Sequence, residues 1–188
     1  MEAPAGRLLT YEEYLHYDDG TDYRHELVDG VLERMTPATG KHGRIVRFLL
    51  FCLQEEVDRL ARNWQVRQSE TGVQTALRRV RIPDLCILTA QQVDDIENTA
   101  AVLQTPPPLV IEVVSPESVK RDYRFKRSEY AGFGVPEYWI VDPIEQKVSV
   151  LVWEEGFYEE AIFQAGQEIV SPTFPDLHLS TERILNPE

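Results

Sequence analysis

Two carboxylates lie inside apolar runs, where an ionised group is costly to bury without a partner. Leu109-Val-Ile-Glu-Val-Val-Ser115 carries Glu112 in its middle, and Ile82-Pro-Asp-Leu-Cys-Ile-Leu88 carries Asp84. Two acids on two buried strands suggest a metal ion between them. Phosphodiester hydrolysis has a use for this: a metal polarises the phosphoryl oxygen and lowers the pKa of water, carboxylates hold the metal, and a cation stabilises the developing charge. Mg²⁺ prefers oxygen ligands, uses few carboxylates and keeps several waters. Asp84 and Glu112 supply that minimum, with Mn²⁺ as the alternative ion. Glu26 is a plausible third acid. Lys126, downstream of the Glu112 run, is placed to reach back over the metal.

The elements that must position these residues follow from pattern. Pro106-Pro-Pro108 and Ser115-Pro116 bound the Glu112 run as a short buried strand. Arg79–Thr89 reads as a strand containing Asp84, with Pro83 demoting its first half to an edge or a bulge. Thr10-Tyr-Glu-Glu13 is a capping-box pattern opening a short helix to about Tyr17. Strands are expected over Tyr23–Val28, which holds Glu26, and Val31–Met35, joined by an Asp29-Gly30 hairpin turn. Ile45, Leu49, Leu53, Val57 and Leu60 recur at helical spacing, predicting a helix from Lys41 to about Arg62. Trp64–Gln68 and Gly72–Leu77 read as strands, and Gln91–Ile96 as a helical turn. A helix over Lys120–Phe133 is expected to cross from the Glu112 strand to a strand over Glu137–Asp142, which makes those two strands parallel. Lys147–Trp153 and Tyr158–Phe163 pair as a hairpin. The fold class is α/β (α+β), a mixed sheet with helices packed on it.

At 188 residues, 43% hydrophobic and 27% charged, the size and composition fit one domain spanning 1–188, with flexibility expected only over 1–7. No window holds the roughly 18 apolar residues of a membrane span, and the N-terminus lacks a basic segment followed by an apolar core, so a cytoplasmic protein is expected. Cys52 and Cys86 lie in apolar runs and read as buried free thiols.

The net charge of −13 disfavours non-specific nucleic-acid binding, which needs a basic footprint. The cations are clustered, however. Arg78, Arg79 and Arg81 precede Asp84, while Lys120, Arg121, Arg124, Lys126 and Arg127 follow Glu112. Such runs are commonly solvated faces, but two of them flank one candidate site and are candidates for nucleic-acid contact. Asp122 stands one turn before Lys126 and could pair with it. Tyr130, Tyr138 and Trp139 read as core. His42 reads as a capping or surface residue, with phosphate contact or base catalysis as the other possibility.

Pro83-Asp84, Ile111-Glu112-Val-Val-Ser-Pro116, Asp122, Lys126, Tyr130, Gly134-Val-Pro-Glu-Tyr-Trp-Ile-Val-Asp-Pro143 and the upstream Glu26-Leu-Val-Asp-Gly30 together resemble the Uma-type restriction-endonuclease family, formerly a domain of unknown function, in the PD-(D/E)XK superfamily. The resemblance covers about Leu8 to Leu179. It implies a restriction-endonuclease-like fold and Mg²⁺-dependent DNA cleavage, with Asp84 and Glu112 as metal ligands and Glu26 as the extra N-terminal acid. The superfamily's lysine stands two residues after the strand acid, where this chain has Val114. The resemblance implies that the lysine has migrated to Lys126. A different class of function also remains: a nuclease-fold protein with weak or lost chemistry, acting as a nucleic-acid-binding or regulatory module. An acidic chain acting on DNA needs a focused positive groove, and a two-fold dimer would supply two half-sites, so a homodimer is expected.

Overall fold

The apolar periodicities resolve into helices packed on two mixed sheets. In the computed structural model, which describes residues 7–187, the order is α1 (Tyr11–Leu15), β1 (His25–Val28), β2 (Val31–Arg34), α2 (Gly40–Arg59), β3 (Gln65–Gln68), β4 (Gly72–Ala76), β5 (Arg79–Arg81) and β6 (Leu85–Leu88). Then come α3 (Ala90–Ile96), β7 (Val102–Leu103), β8 (Leu109–Val113), a π-helical segment (Arg121–Lys126), α4 (Arg127–Phe133), β9 (Glu137–Asp142), β10 (Lys147–Glu154), β11 (Phe157–Gln164) and α5 (Thr181–Leu185). The flexible leader expected over 1–7 falls, apart from Arg7, outside the described residues.

The larger sheet runs β11-β10-β9-β8-β6-β3 and the smaller runs β2-β1-β5-β4-β7. The crossover from β8 to β9 gives a parallel pair, Glu112 opposite Ile140, as the strand–helix–strand pattern predicts. The strand expected over Arg79–Thr89 is two strands in two different sheets. Pro83 has no amide proton to donate to a ladder, so β5 ends at Arg81 in the smaller sheet and β6 begins at Leu85 in the larger. Asp84 therefore lies in the bend between the sheets, not within a strand.

Alternation along the large sheet sorts its side chains. Leu85 and Ile87 of β6, with Leu109, Ile111 and Val113 of β8, pack against Ile45, Leu49, Leu53 and Val57 of α2. Cys86, Leu88, Val110, Tyr138 and Ile140 point the other way and pack with Tyr130, Ala131 and Val135. Glu112 shares parity with Val110, so it faces the α4 side. Leu85 pairs with Ile111 across the ladder, which places Asp84 beside Glu112 on that face. Cys86 is buried and Cys52 half-buried, both free.

The first hairpin turns on Asp29 and Gly30, with φ of 52° and 84°, the geometry of a type I′ turn. A β-carbon on Gly30 would sit 2.9 Å from Leu8 Cβ and 3.1 Å from the Leu9 carbonyl oxygen. Gly30→Ala should thus destabilise the protein by about 1–3 kcal/mol in urea unfolding. An unchanged midpoint would show that the segment before α1 yields freely.

Candidate active site

Four elements bring the site together: β1, the bend before β6, β8 and the π-helical segment. Glu112, 3% exposed, is buried at the end of β8. Lys126 Nζ donates to its Oε1 at 2.7 Å, and the Tyr130 hydroxyl donates to the same oxygen at 2.9 Å. Lys126, equally buried, also lies 3.3 Å from Glu26 Oε1. Lys126 thus does reach back to the strand acid across the gap left by Val114. Val114 itself is fully packed among Tyr130, Tyr138 and Ile140.

The expected continuous helix over Lys120–Phe133 begins instead with π-helical Arg121–Lys126 and becomes α-helical only from Arg127. Its i→i+5 bonding widens the turn and moves the residues out of the i,i+4 alignment. That removes the Asp122–Lys126 pair expected on α-helical spacing. Asp122 accepts from Ser118 Oγ and lies 3.9 Å from Arg121 Nε, while Lys126 turns to Glu112 and Glu26. Asp122 Oδ1 is buried and, among the described residues, has no hydrogen-bond partner.

Glu26 acts differently from the expected metal- or water-orienting acid. Its Oε1 takes the Ile82 amide at 3.0 Å and Lys126, and its Oε2 takes Arg81 Nη1 at 2.9 Å. Burial works against its charge, but Lys126, Arg81 and the Ile82 amide outweigh this and hold its carboxyl below the ordinary value. Glu26 is a lysine-holding group. Arg81 needs a matching correction. Read from sequence as a nucleic-acid contact, it is 2% exposed and forks onto Glu129, Nε to Oε2 at 2.7 Å and Nη2 to Oε1 at 2.8 Å. Its placement on β5, facing β1, turns it inward, so it cannot reach a phosphate.

The other candidate cations divide. Arg79 pairs with Asp29 and approaches Glu129. Arg121 is half-buried with its Nε enclosed. Arg78, Lys120 and Arg124 are exposed. Sequence reading undervalued His42. It lies in the first turn of α2, its amide bonded to the Thr39 hydroxyl, and its Nε2 is 3.0 Å from Asp84 Oδ2. The Val113 amide donates to the same Asp84 oxygen at 2.8 Å. Burial lowers the pKa of the ring, but the Asp84 carboxylate overcomes this and raises it above the ordinary histidine value. A lone histidine has no periodic partner, so only its place at the start of α2 was visible in the sequence.

The acids outnumber the cations here. Burial, with the fields of Asp84, Asp122 and Glu26, raises the Glu112 pKa despite Lys126. Glu112, Glu26 and Asp122 in turn raise the pKa of Lys126 against the effect of its burial and keep it charged. Among the described residues, hydrogen bonds occupy Asp84 Oδ2 and Glu112 Oε1 and leave Asp84 Oδ1 and Glu112 Oε2 without one. Two free, hard oxygen donors in a negatively charged setting fit a Mg²⁺ or Mn²⁺ ion that takes its remaining ligands from water or substrate. They do not fit a zinc-type cage: among the described residues no three His, Cys, Asp or Glu side chains are grouped to hold a metal. No helix among those residues is long and apolar enough to cross a membrane.

A solved structure described as a putative nuclease belonging to DUF820, from Anabaena variabilis, superposes with a TM-score of 0.78 over 94% of this chain and 97% of that one, at 22% identity. That similarity speaks to the fold. No curated protein matches the chain. The family model described as "Putative restriction endonuclease", Uma2, matches residues 11–182, and with Glu26, Asp84, Glu112 and Lys126 all inside that span the chain belongs to the Uma2 family.

Proposed function

We propose that this protein is a Mg²⁺- or Mn²⁺-dependent endonuclease that hydrolyses phosphodiester bonds of DNA. The observation that carries the reading is the ammonium of Lys126, fixed 2.7 Å from Glu112 Oε1 beside the free oxygens of Glu112 and Asp84. Asp84 and Glu112 would hold the ion. When bound, it would polarise a phosphoryl oxygen and make water a better nucleophile. Lys126 would stabilise the negative charge that builds on the phosphate. Glu26 keeps Lys126 in place, while His42 and Tyr130 fix the rotamers of Asp84 and Glu112. Arg78, Lys120 and Arg124 would contact backbone phosphates. A homodimer would present two such sites to the two strands.

Supercoiled plasmid incubated with the purified protein should be nicked or linearised in Mg²⁺ or Mn²⁺ and left intact in EDTA. Cleavage that persists in EDTA would remove the metal from the reading. DNA binding without cleavage in either ion would favour the binding or regulatory module instead, a reading that Val114 in the place of the strand lysine also supports.

A further inference from the structure

We propose that the first two turns of α2 form a second phosphate-tracking wall of the active-site groove, with Arg44 and Arg47 as its principal contacts. This rests on the nuclease reading and names the surface by which the substrate is held. α2 is electrically divided: Lys41, Arg44 and Arg47 occupy its start, while Glu55, Glu56 and Asp58 crowd its end. The three cations follow one i,i+3 ridge, successive members separated by about 4.5 Å of helix rise. Arg44 and Arg47 are exposed and Lys41 half-exposed. Among the described residues none of the three has a carboxylate partner. In a chain of net charge −13, unpaired cations are a scarce resource, and here they run from the residue next to His42.

His42 ties this ridge to the chemistry. Its ring bonds to Asp84 and feels the field of Asp122 in the π-helical segment, so the start of α2 and that segment lie on either side of the two carboxylates. The π-helical side supplies exposed Lys120 and Arg124. A second feature is independent of charge. Gly40 and Gly43 stand within the same turns, each with no atom within 4 Å of the position a β-carbon would take, and neither has a positive φ. Glycine in a helix disfavours it relative to alanine, and the packing of this fold does not require it at either position. Bare helix surface between basic side chains lets a polyanion's backbone approach closely. The occupant that fits is a nucleic-acid strand.

A fluorescent 30-base-pair duplex titrated with protein in EDTA, across a range of salt, separates binding from cleavage. Arg44→Glu/Arg47→Glu should weaken binding at least about tenfold at moderate salt. The milder Arg44→Gln/Arg47→Gln should reduce the slope of log affinity against log salt by about 2. Arg7→Glu/Arg34→Glu, the same change in net charge at exposed cations outside α2 and the π-helical segment, should do neither. Equal losses in both charge-reversed proteins would reduce the effect to net charge and overturn the proposal. Unchanged affinity and slope in the Arg44/Arg47 variants would overturn it too, and if plasmid cleavage by the wild type continued, the nuclease reading would stand without this wall. Wild-type protein with no salt-dependent binding would overturn it as well, and a failure to cleave plasmid in metal would show that the nuclease reading had fallen with it.

Discussion

Lys126→Met should slow metal-dependent DNA cleavage by about 10²–10³-fold, the usual cost of losing one preorganised stabiliser of transition-state charge, while leaving Mn²⁺ binding in place. Glu112→Gln should lose both. The difference follows from which atoms each residue engages. Lys126 donates to Glu112 Oε1 and touches Glu26. Removing it frees oxygens of Glu112 and Glu26 and takes away the positive charge that a divalent cation would have to sit beside. Glu112→Gln keeps the shape but replaces one of the two carboxylate donors with an amide that cannot ionise to hold the metal. Calorimetric titration with Mn²⁺, alongside timed plasmid cleavage, reads the two properties separately. Lys126→Met protein that cleaves at the wild-type rate would strip the lysine of its role, and Glu112→Gln protein that binds Mn²⁺ normally would move the metal elsewhere.

Arg81→Met should cost about 3–5 kcal/mol of stability, because it strands two buried carboxylates, Glu26 and Glu129, without their shared cation. For a chain of this size that is on the order of a 10 °C fall in Tm. The loss should also move with pH. Glu26 is held below its ordinary value of 4.5 by Lys126 and Arg81 acting against its burial. A depressed carboxylate contributes stability that is present above its unfolded pKa and disappears as pH falls through the folded one. Wild-type stability from this group should therefore persist down to about pH 4.5 and decline below it. Without Arg81 the Glu26 pKa climbs toward the unfolded value, so this decline on the acid side should shrink. Urea unfolding at a series of pH values measures both effects, and a variant within about 1 kcal/mol of wild type throughout would show that the network contributes little.

Much of the fold was legible because its signals are local. The Asp29-Gly30 turn, the apolar stripe of α2 and the apolar runs of β8 and β9 each depend on residues a few positions apart, and each element formed where expected to within a few residues. The exception over Arg79–Thr89 was marked by Pro83, but a proline cannot say which of two sheets the chain will enter. The π-helical segment had no signal at all. Its extra residue per turn is stabilised by what it lets Lys126 and Asp122 reach, which lies outside the segment. One short strand and one short helix were also not expected: β7 at Val102–Leu103 and α5 at Thr181–Leu185 are only 2 and 5 residues long and owe their existence to what they pack on.

Sequence alone singled out the candidate set: an acid in each of two apolar runs, an early acid at Glu26, and a downstream Lys126 that the family resemblance sets against Val114. It did so because burying charge is costly enough to make such residues conspicuous. Tertiary structure alone decided how they divide the work. It turned Arg81 inward, where the sequence showed one more cation in a basic run. It brought His42 onto Asp84 from 42 residues away, and it made Glu26 a partner of Lys126. The physical reason is common to all three. The identity of a charged residue is fixed by the chain, but its partner is fixed by which elements meet, and electrostatic pairing acts through space between elements that sequence spacing does not connect.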